Sequence, residues 1–576
     1  MTPSRCAVPP RKPSSPRPAP ARGTEMPAPR GGRIEVIGEP GEPRERFREI
    51  LTPQALEFLI ALDTVFAARW AGLLAARRER RLLLASGAAV LDFLPETAAI
   101  RADESWRVAG AAPGLTDRRV EIIAPTQRTA TVTALNSGAR VWLADFADTT
   151  APTWFNVIAG QLNLLDAIEG RLEVTTPTGR RHRVGPDPAT IVVRPRGWHL
   201  SEHHLLIDGR PMSASLVDFG LYFFHCARRQ LARGSGPYFC LPKLEGHREA
   251  RLWNDVFVFA QQRLGLAQGT IRATVPIETV PAAFEMEEIL YELREHCAGL
   301  NAAGRWDYVF SLLKTVGARG EAFVLPDRDQ LTMTAPFLRA HTALLVRTCH
   351  RRGAHAIGAT AAFVPGRDPE VDARALDQLR RDTQRDADDG FDGSSVAHPG
   401  LVAVCEAAFD ARLDARLGAV PRQRDRPRPD DEPVTAADLL DVASAAGTVT
   451  EAGLRGSIAV ALRYLDAWLR GTGAVAIFDV MTDAATAELA RCQVWQWIHH
   501  GTRLADGRPV TRELAERLLA EELTVLCAER GSAPNRLDEA REVFVETALG
   551  ETLPEFFTTV AYTDYLTKRP RALVRL

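Results

Sequence analysis

The sequence lacks paired cysteines. Its 576 residues contain eight cysteines, scattered without a C-x-x-C pair or any regular spacing, and this argues against a disulfide framework. Several of them lie within apolar helix or strand patterns. We therefore predict buried free thiols in a reducing compartment.

The sequence also lacks a surplus of positive or of negative residues. Lys and Arg total 71, Asp and Glu total 73, and the net charge is -2, so no broad field exists that would hold nucleic acid or an anionic membrane. No apolar run reaches about 18 residues, which argues against a membrane span. Small molecules are therefore the expected partners.

Common catalytic fingerprints are absent as well. The sequence contains no P-loop, no dinucleotide-binding G-x-G-x-x-G and no nucleophilic serine elbow. The adjacent pairs His203-His204 and His499-His500 lack the i, i+4 spacing of a zinc site. Any chemistry has to come from other residues.

What is present is a long chain, 45% hydrophobic, that can bury a large core and form several domains. Residues 1–45 are rich in Pro, Arg, Ala and Gly, which predicts a disordered tail. Helical periodicity predicts a helical region over 46–115. Residues 420–433 are charged and proline-laden, as in a linker, and 434–576 are helical again, starting with a capping box formed by Thr435 and Asp438.

Between these regions, over residues 116–419, short strand-like runs alternate with helical patterns. The strand candidates are 119–123, 139–145, 190–194, 237–242, 271–277, 308–310 with the loop before it, 355–364 and 394–397. The helical patterns include 215–233, 248–264, 282–296 and 335–352, and three of these four end at a glycine, the usual left-handed cap. Eight strands at this spacing predict a (β/α)8 barrel. An open doubly wound sheet is the alternative, although no glycine fingerprint follows the first strand.

Several candidate site residues follow these strands, where parallel barrels keep their active sites. Glu278 and Asp307 offer hard oxygen ligands suited to Mg2+, which can polarise the carbonyl of a small oxo acid; alternatively they are a helix-start and a turn residue. Arg194 and Arg196 place guanidinium donors where an anionic intermediate could form. One of them we expect to be functional and the other to pair with a neighbouring carboxylate, Asp145 or Asp148.

Asp483 opens a helix that runs to His500. An N-cap is the simpler interpretation of this residue, because Asp is among the commonest caps. A catalytic role requires the C-terminal helical region to fold over the barrel mouth, which spacing alone does not establish. Trp495 and Trp497 on the same helix are expected to be core residues.

These segments resemble malate synthases of the shorter, A-type form, in the family's order and over about residues 50 to 575. The stretches that carry the resemblance include Arg194-Pro-Arg-Gly-Trp-His-Leu200, Leu252-Trp-Asn-Asp-Val256, Ile277-Glu-Thr279, Gly304-Arg-Trp-Asp-Tyr308, Asp483-Ala-Ala-Thr-Ala-Glu488 and Trp495-Gln-Trp-Ile-His-His500. The resemblance implies an N-terminal helical clasp, a (β/α)8 barrel and a C-terminal helical plug. It also implies that acetyl-CoA and glyoxylate condense, and that the malyl thioester is hydrolysed to malate and CoA.

The resemblance further assigns roles to single residues. Asp483 would be the base that takes a proton from the acetyl methyl, and Arg194 would stabilise the enolate oxygen. Glu278 and Asp307 would hold Mg2+. The segment from Gly304 to Trp306, through backbone amides near Trp306 and Asp307, would receive the glyoxylate carboxylate.

The chain departs from the family pattern around the expected barrel mouth. The positions are an extra residue in Asn301-Ala-Ala-Gly304, Ala147 in place of a carboxylate, Thr383, Ser395 and Thr482. Two alternatives therefore stay open: a related Mg2+-dependent acyl-CoA lyase or synthase that uses another 2-oxo acid, and a degenerate paralogue that binds CoA without turnover. The C-terminal Val574-Arg-Leu576 differs from the S-K-L peroxisomal signal, so the cytoplasm is the expected location. The oligomeric state stays open.

Overall fold

The central feature of the fold is a closed barrel of eight parallel strands. The computed structural model describes residues 32–38, 45–176, 178–366, 368–417, 433–567 and 572–573. In barrel order, which is also chain order, the strands are Val120–Pro125, Val141–Asp145, Thr190–Arg194, Tyr238–Cys240, Arg272–Pro276, Cys297–Asn301, His355–Ala361 and Gly393–Val396. The barrel is confirmed, and the open sheet is excluded.

The sixth strand was predicted wrongly. Tyr308 and Phe310 lie in the helix Arg305–Val316, and the sixth strand is Cys297–Asn301, which pairs with Arg272–Pro276 and His355–Ala361. Gly299 permits this pairing, since a Cβ at its position would lie 2.5 Å from the His355 carbonyl oxygen. A strand that needs glycine carries little of the β-branched pattern by which strands are recognised.

Helices cover the outside of the barrel. They are Arg128–Leu135, Trp154–Ile168, Ala214–Ala232, His247–Arg263, Val280–Ala283, Met286–Glu292, Arg305–Val316, Pro336–Arg352, Pro369–Asp389 and Val402–Leu417. The helix predicted over 282–296 is instead two short helices. Phe284 and Glu285 separate them. The Glu285 carboxylate accepts hydrogen bonds from the His247 backbone N–H at 2.8 Å and from its ring Nδ1 at 2.6 Å.

The N-terminal region is dominated by the helix Pro53–Ala85, with the short helix Ala98–Ala102 after it. Thr52 caps the long helix by accepting a hydrogen bond from Ala55 N at 3.2 Å. By length and composition this helix could cross a bilayer, although the sequence was expected to hold no membrane span. Its buried Phe58, Leu59 and Leu62, however, belong to the main core, and Phe58 stacks on Phe223 of the barrel helix Ala214–Ala232.

The prediction of a disordered tail over 1–45 is wrong for one segment. Ile34–Gly38 forms a strand that pairs antiparallel with Ser201–Ile207, and Arg210–Ser213 and Ala572–Leu573 complete that sheet. The run Ile-Glu-Val-Ile has the β-branched composition of a strand, hidden among prolines and glycines. Residues 1–31 and 39–44 lie outside the described residues.

The C-terminal domain is helical and packs on the barrel mouth. Its helices are Ala436–Leu439, Glu451–Leu469, Ala484–His499, Arg512–Arg530, Leu537–Ala548 and Phe557–Ala561, followed by the π-helical turn Tyr562–Leu566. The capping box of Thr435 and Asp438 is confirmed. The predicted linker, except for Pro433, lies outside the described residues.

A hairpin attaches this domain to the barrel. Its strands are Val475–Ile477 and Val480–Thr482, and Met481 N donates to Ala362 O at 2.7 Å.

The cysteine prediction holds for six described thiols, which are free and buried, but Cys527 is exposed. It lies near the end of the surface helix Arg512–Arg530, and the expectation of burial is wrong there. Cys6 lies outside the described residues.

Candidate active site

A cavity of about 1020 Å³ lies between the barrel mouth and the C-terminal domain. The six residues to which the family resemblance assigned roles line it: Arg194, Glu278, Gly304, Trp306, Asp307 and Asp483. The closure of the barrel brings the strand ends together, and the C-terminal domain adds Asp483 from above. The C-terminal plug over the barrel mouth, which the family resemblance implied, is thus present.

Three carboxylates meet at the floor of the cavity. Asp148, Glu278 and Asp307 each offer an oxygen within 4.8 Å of the others, a group that could hold a metal ion. Glu278 follows the fifth strand as predicted, whereas Asp307 lies in the first turn of a helix rather than at a strand end. Asp148 was considered only as a partner for arginine. Its position after the second strand was the signal that could have identified it as a ligand.

Two cations neutralise part of this cluster. Arg194 Nη1 lies 2.7 Å from Asp148 Oδ2, and Arg194 Nη2 lies 2.8 Å from Glu278 Oε2. Lys243 Nζ lies 2.9 Å from Asp148 Oδ2 and 3.4 Å from Asp307 Oδ1. Sequence reasoning missed Lys243, although it follows the fourth strand; its φ of 55° is in the left-handed region, where a non-glycine residue often marks a functional site.

The electrostatics of the cluster favour one more positive charge. Burial, with repulsion from Glu278, Asp148 and Asp483, raises the pKa of Asp307 well above its ordinary value, against the effect of Lys243. Burial also acts to raise the pKa of Asp148, but Lys243 and Arg194 outweigh it and hold that pKa below the ordinary range. Buried carboxylates of this kind fit a hard divalent cation that prefers oxygen ligands.

Asp483 caps the helix Ala484–His499 over this cluster. Its Oδ1 accepts hydrogen bonds from Thr486 N at 3.1 Å and Thr486 Oγ1 at 2.9 Å, so the interpretation as an N-cap is confirmed. Burial and the charge of Asp148 raise its pKa to about 6. The carboxylate is therefore a stronger base than an ordinary aspartate, yet is ionised at neutral pH.

Arg196 points away from the cavity. Its Nη1 lies 2.7 Å from Glu202 Oε2, and its Nη2 lies 2.8 Å from Asp218 Oδ1, with all three side chains buried. Arg194 and Arg196 thus belong to different ion-pair networks. Only Arg194 lines the cavity. The predicted partner of the structural arginine is wrong, because Asp145 and Asp148 both pair with Arg194.

The segment assigned to the oxo acid forms a helix start. Gly304 is the N-cap of Arg305–Val316. The amides of Arg305 and Trp306 have no acceptor among the described residues, whereas that of Asp307, which the resemblance also assigned to the carboxylate, donates to Gly304 O at 3.2 Å. Free amides at a helix N-terminus bind carboxylates readily. The extra residue before it is absorbed in a tight loop, in which Ala303 has a φ of 59° and its N donates to Asn301 Oδ1 at 2.5 Å.

The other departures lie around the same cavity. Thr383 and Thr482 line it, and Ser395 Oγ accepts a hydrogen bond from Asn301 Nδ2 at 3.3 Å. Ala147 N donates to Asp145 Oδ1 at 2.8 Å. Because Asp148 is present next to Ala147, the cluster keeps three carboxylates.

A parallel barrel with an acidic cluster at its mouth, an adjacent guanidinium and a carboxylate on a covering helix defines a TIM-barrel enzyme equipped for proton abstraction next to a carbonyl. Three family models match the chain: "Malate synthase, N-terminal domain" over residues 40–99, "Malate synthase, TIM barrel domain" over 190–442 and "Malate synthase, C-terminal" over 448–565.

Curated relatives agree with these matches. The malate synthase of Streptomyces clavuligerus is 56% identical over 538 residues, which covers 92% of this chain and 98% of that protein. Malate synthase A of Escherichia coli is 43% identical over 521 residues, 90% of this chain and 96% of that protein. The chain belongs to the malate synthase family.

A solved structure of Haloferax volcanii malate synthase, a pyruvate and acetyl-CoA ternary complex, is more distant. It shares 16% identity and a TM-score of 0.43, and the similarity covers 74% of this chain and 98% of that one. The Streptomyces clavuligerus and Escherichia coli relatives favour malate synthesis over the two alternatives left open above.

Proposed function

We propose that this enzyme condenses acetyl-CoA with glyoxylate in an Mg2+-dependent reaction and releases malate and CoA. The observation that carries the proposal is the convergence of Asp483, Arg194 and the three-carboxylate cluster on one cavity. A thioester methyl is a weak acid, and its ionisation needs a positioned base together with positive charge at the developing enolate. The cavity has both.

Asp483 acts as the base in this proposal. Thr486 holds one carboxylate oxygen, Oδ1, with two hydrogen bonds, while Oδ2 has no partner among the described residues and is available for the proton of the acetyl methyl. The raised pKa supports the assignment, because a carboxylate with a pKa of about 6 accepts a proton more readily than a solvent-exposed aspartate does.

Arg194 stabilises the enolate oxygen. Its guanidinium is buried and held in place by the carboxylates of Asp148 and Glu278, so it needs little reorganisation when negative charge develops. The amides at the start of Arg305–Val316 orient glyoxylate through its carboxylate.

Asp148, Glu278 and Asp307 would hold the Mg2+ ion. Their oxygen donors and their excess negative charge fit a hard divalent cation. When bound, the ion supplies Lewis-acid polarisation of the glyoxylate aldehyde. Lys243 keeps the same carboxylates from repelling one another.

The test is loss of thioester absorbance when purified enzyme is given acetyl-CoA, glyoxylate and Mg2+, with malate identified by mass. Direct absorbance is preferable to detecting CoA with a thiol reagent, because the exposed Cys527 would also react with that reagent. We expect loss only when all three are present. No loss would refute the proposal, and faster loss with a larger 2-oxo acid would reassign the substrate.

We also propose that the enzyme works in the cytoplasm. The free, buried cysteines are compatible with a reducing compartment. Fractionation of cells that produce the tagged protein tests this, and recovery in a membrane-bounded organelle would contradict it.

A further inference from the structure

His341 bridges the two segments that carry Glu278 and Asp307. It lies in the outer helix Pro336–Arg352, is buried, and is not among the residues that line the cavity. Its ring therefore reaches the carboxylate cluster only through neighbouring residues. The contacts of this one side chain run to the residue before Glu278 and to the residue after Asp307.

The first contact holds the backbone next to Glu278. Nε2 of His341 donates a hydrogen bond to the carbonyl oxygen of Ile277 at 3.0 Å, and Ile277 N donates to Asn301 O at 2.8 Å. Both backbone groups of Ile277 are thus paired, one with a helix and one with the end of the sixth strand. Because the backbone is held on both sides, the side chain that follows it has little freedom to shift.

The second contact holds the helix that carries Asp307. The ring centroids of His341 and Tyr308 lie 4.3 Å apart, with an interplanar angle of 31°, and both side chains are buried. Tyr308 directly follows Asp307 near the start of Arg305–Val316. The ring contact therefore fixes where this helix start lies relative to Ile277.

His341 acts on the site through geometry and not through charge. Burial lowers its pKa to about 4, so the imidazole is neutral at the pH of an ordinary assay. The Ile277 carbonyl fixes the proton on Nε2, and Nδ1 has no partner among the described residues. An apolar side chain would fill the same space without a buried unpaired nitrogen, which indicates that the hydrogen bond to Ile277 has a use beyond packing.

We propose that His341 sets the separation of Glu278 and Asp307 and thereby makes the site select Mg2+ over the larger Ca2+. This inference rests on the proposed function. Mg2+ requires oxygen ligands at about 2.0–2.1 Å in octahedral geometry, whereas Ca2+ accepts about 2.3–2.6 Å and irregular geometry. The oxygens of Asp148, Glu278 and Asp307 lie within 4.8 Å of one another, so a small outward shift of either bridged residue would open the site towards Ca2+. His341 is a positioning residue, since it does not line the cavity.

The test measures Mg2+ and Ca2+ binding by calorimetry, with substrate-free enzyme from which a chelator has removed divalent ions. His341→Phe keeps a ring against Tyr308 but removes the donor to Ile277. We expect its Mg2+ dissociation constant to rise at least about tenfold, the lower end for loss of a residue that orients a metal ligand, while that for Ca2+ changes less than about threefold. His341→Gln, whose amide can reach the same carbonyl, should recover part of the preference.

His225→Phe is the matched control. His225 is also buried, and its Nε2 donates to the Ile50 carbonyl oxygen at 2.7 Å; neither residue lines the cavity. The same substitution thus removes the same kind of hydrogen bond elsewhere in the fold. Thermal unfolding should show a similar loss of stability in both Phe variants, but His225→Phe should bind both ions as the unaltered enzyme does.

The ratio of the two dissociation constants decides the outcome. Equal weakening for both ions in His341→Phe, an unchanged ratio, or the same change in His225→Phe would each overturn the proposal. If His341→Phe does not fold, Tyr308→Leu removes the ring contact from the other side and should shift the ratio in the same direction; Tyr308→Phe, which keeps the ring, should not. An unchanged ratio in Tyr308→Leu would also overturn the proposal. Binding of neither ion to the unaltered enzyme would contradict the metal site itself, and with it the proposed function.

Discussion

Replacing Asp483 with Asn should abolish turnover and make the protein more stable. Asn keeps the shape of the side chain and can accept the same hydrogen bonds from Thr486, and Asn and Asp are equally good N-caps. It cannot accept the proton. Loss of a general base costs about 10²- to 10⁴-fold in kcat.

The stability gain follows from the cost of ionising Asp483 in the folded protein. The rise in its pKa from 3.8 to about 6 corresponds to about 3 kcal/mol. Because the folded pKa lies above the unfolded one, the folded protein loses stability relative to the Asn variant as pH rises from about 3.8 to about 6. The advantage of Asn should be about 1.5 kcal/mol near pH 5, and about 3 kcal/mol near pH 8.

Urea unfolding in a chelating buffer measures this difference, since a bound divalent cation would offset the charge of Asp483. Turnover is then assayed with Mg2+ restored. Turnover within about tenfold of the unaltered enzyme would remove Asp483 from the mechanism. A variant that is inactive and also less stable would show that the residue is mainly structural.

Further predictions concern the cluster below Asp483. The acid limb of kcat/KM should have its midpoint at or below about 6, the pKa of Asp483; a limb above 7 would exclude it as the base. Glu278→Gln should raise the Mg2+ concentration for half-maximal activity at least about tenfold, and an unchanged titration would argue against it as a ligand. Lys243→Met removes a cation from between Asp148 and Asp307, so Mg2+ should raise Tm more in this variant than in the parent. Arg196→Met should destabilise by about 3–5 kcal/mol in urea, because two buried carboxylates lose their partner, while the Mg2+ titration is unchanged.

Most of the barrel could be predicted because its strands carry a clear local pattern. Runs such as Thr190–Arg194 are β-branched and fully apolar at their centre, and glycines end the intervening helices. The sixth strand could not be found in this way. Close pairing there requires Gly299, and that requirement appears only once the neighbouring strand is in place.

The candidate site could be predicted in part. Glu278 follows a recognisable strand and Asp483 opens a recognisable helix, but only the family resemblance suggested what Asp483 does. Lys243 and Asp148 become neighbours of Asp307 through barrel closure, a long-range event without local signal. Arg305 resembled any charged residue in a loop before a strand, until the structure placed it at a helix start without a hydrogen-bond partner among the described residues.

The backbone of Asp148 joins two parts of the molecule. Its carbonyl oxygen accepts a hydrogen bond, at 3.2 Å, from the backbone N–H of Ala484, which is the residue directly after Asp483. A hinge motion that lifts the roof of the cavity to admit a bulky thioester would therefore pull on a main-chain segment of the floor. Tyr464 Oη donates to the same carbonyl oxygen, at 3.3 Å, so such a motion would couple substrate entry to the position of a carboxylate in the candidate metal site.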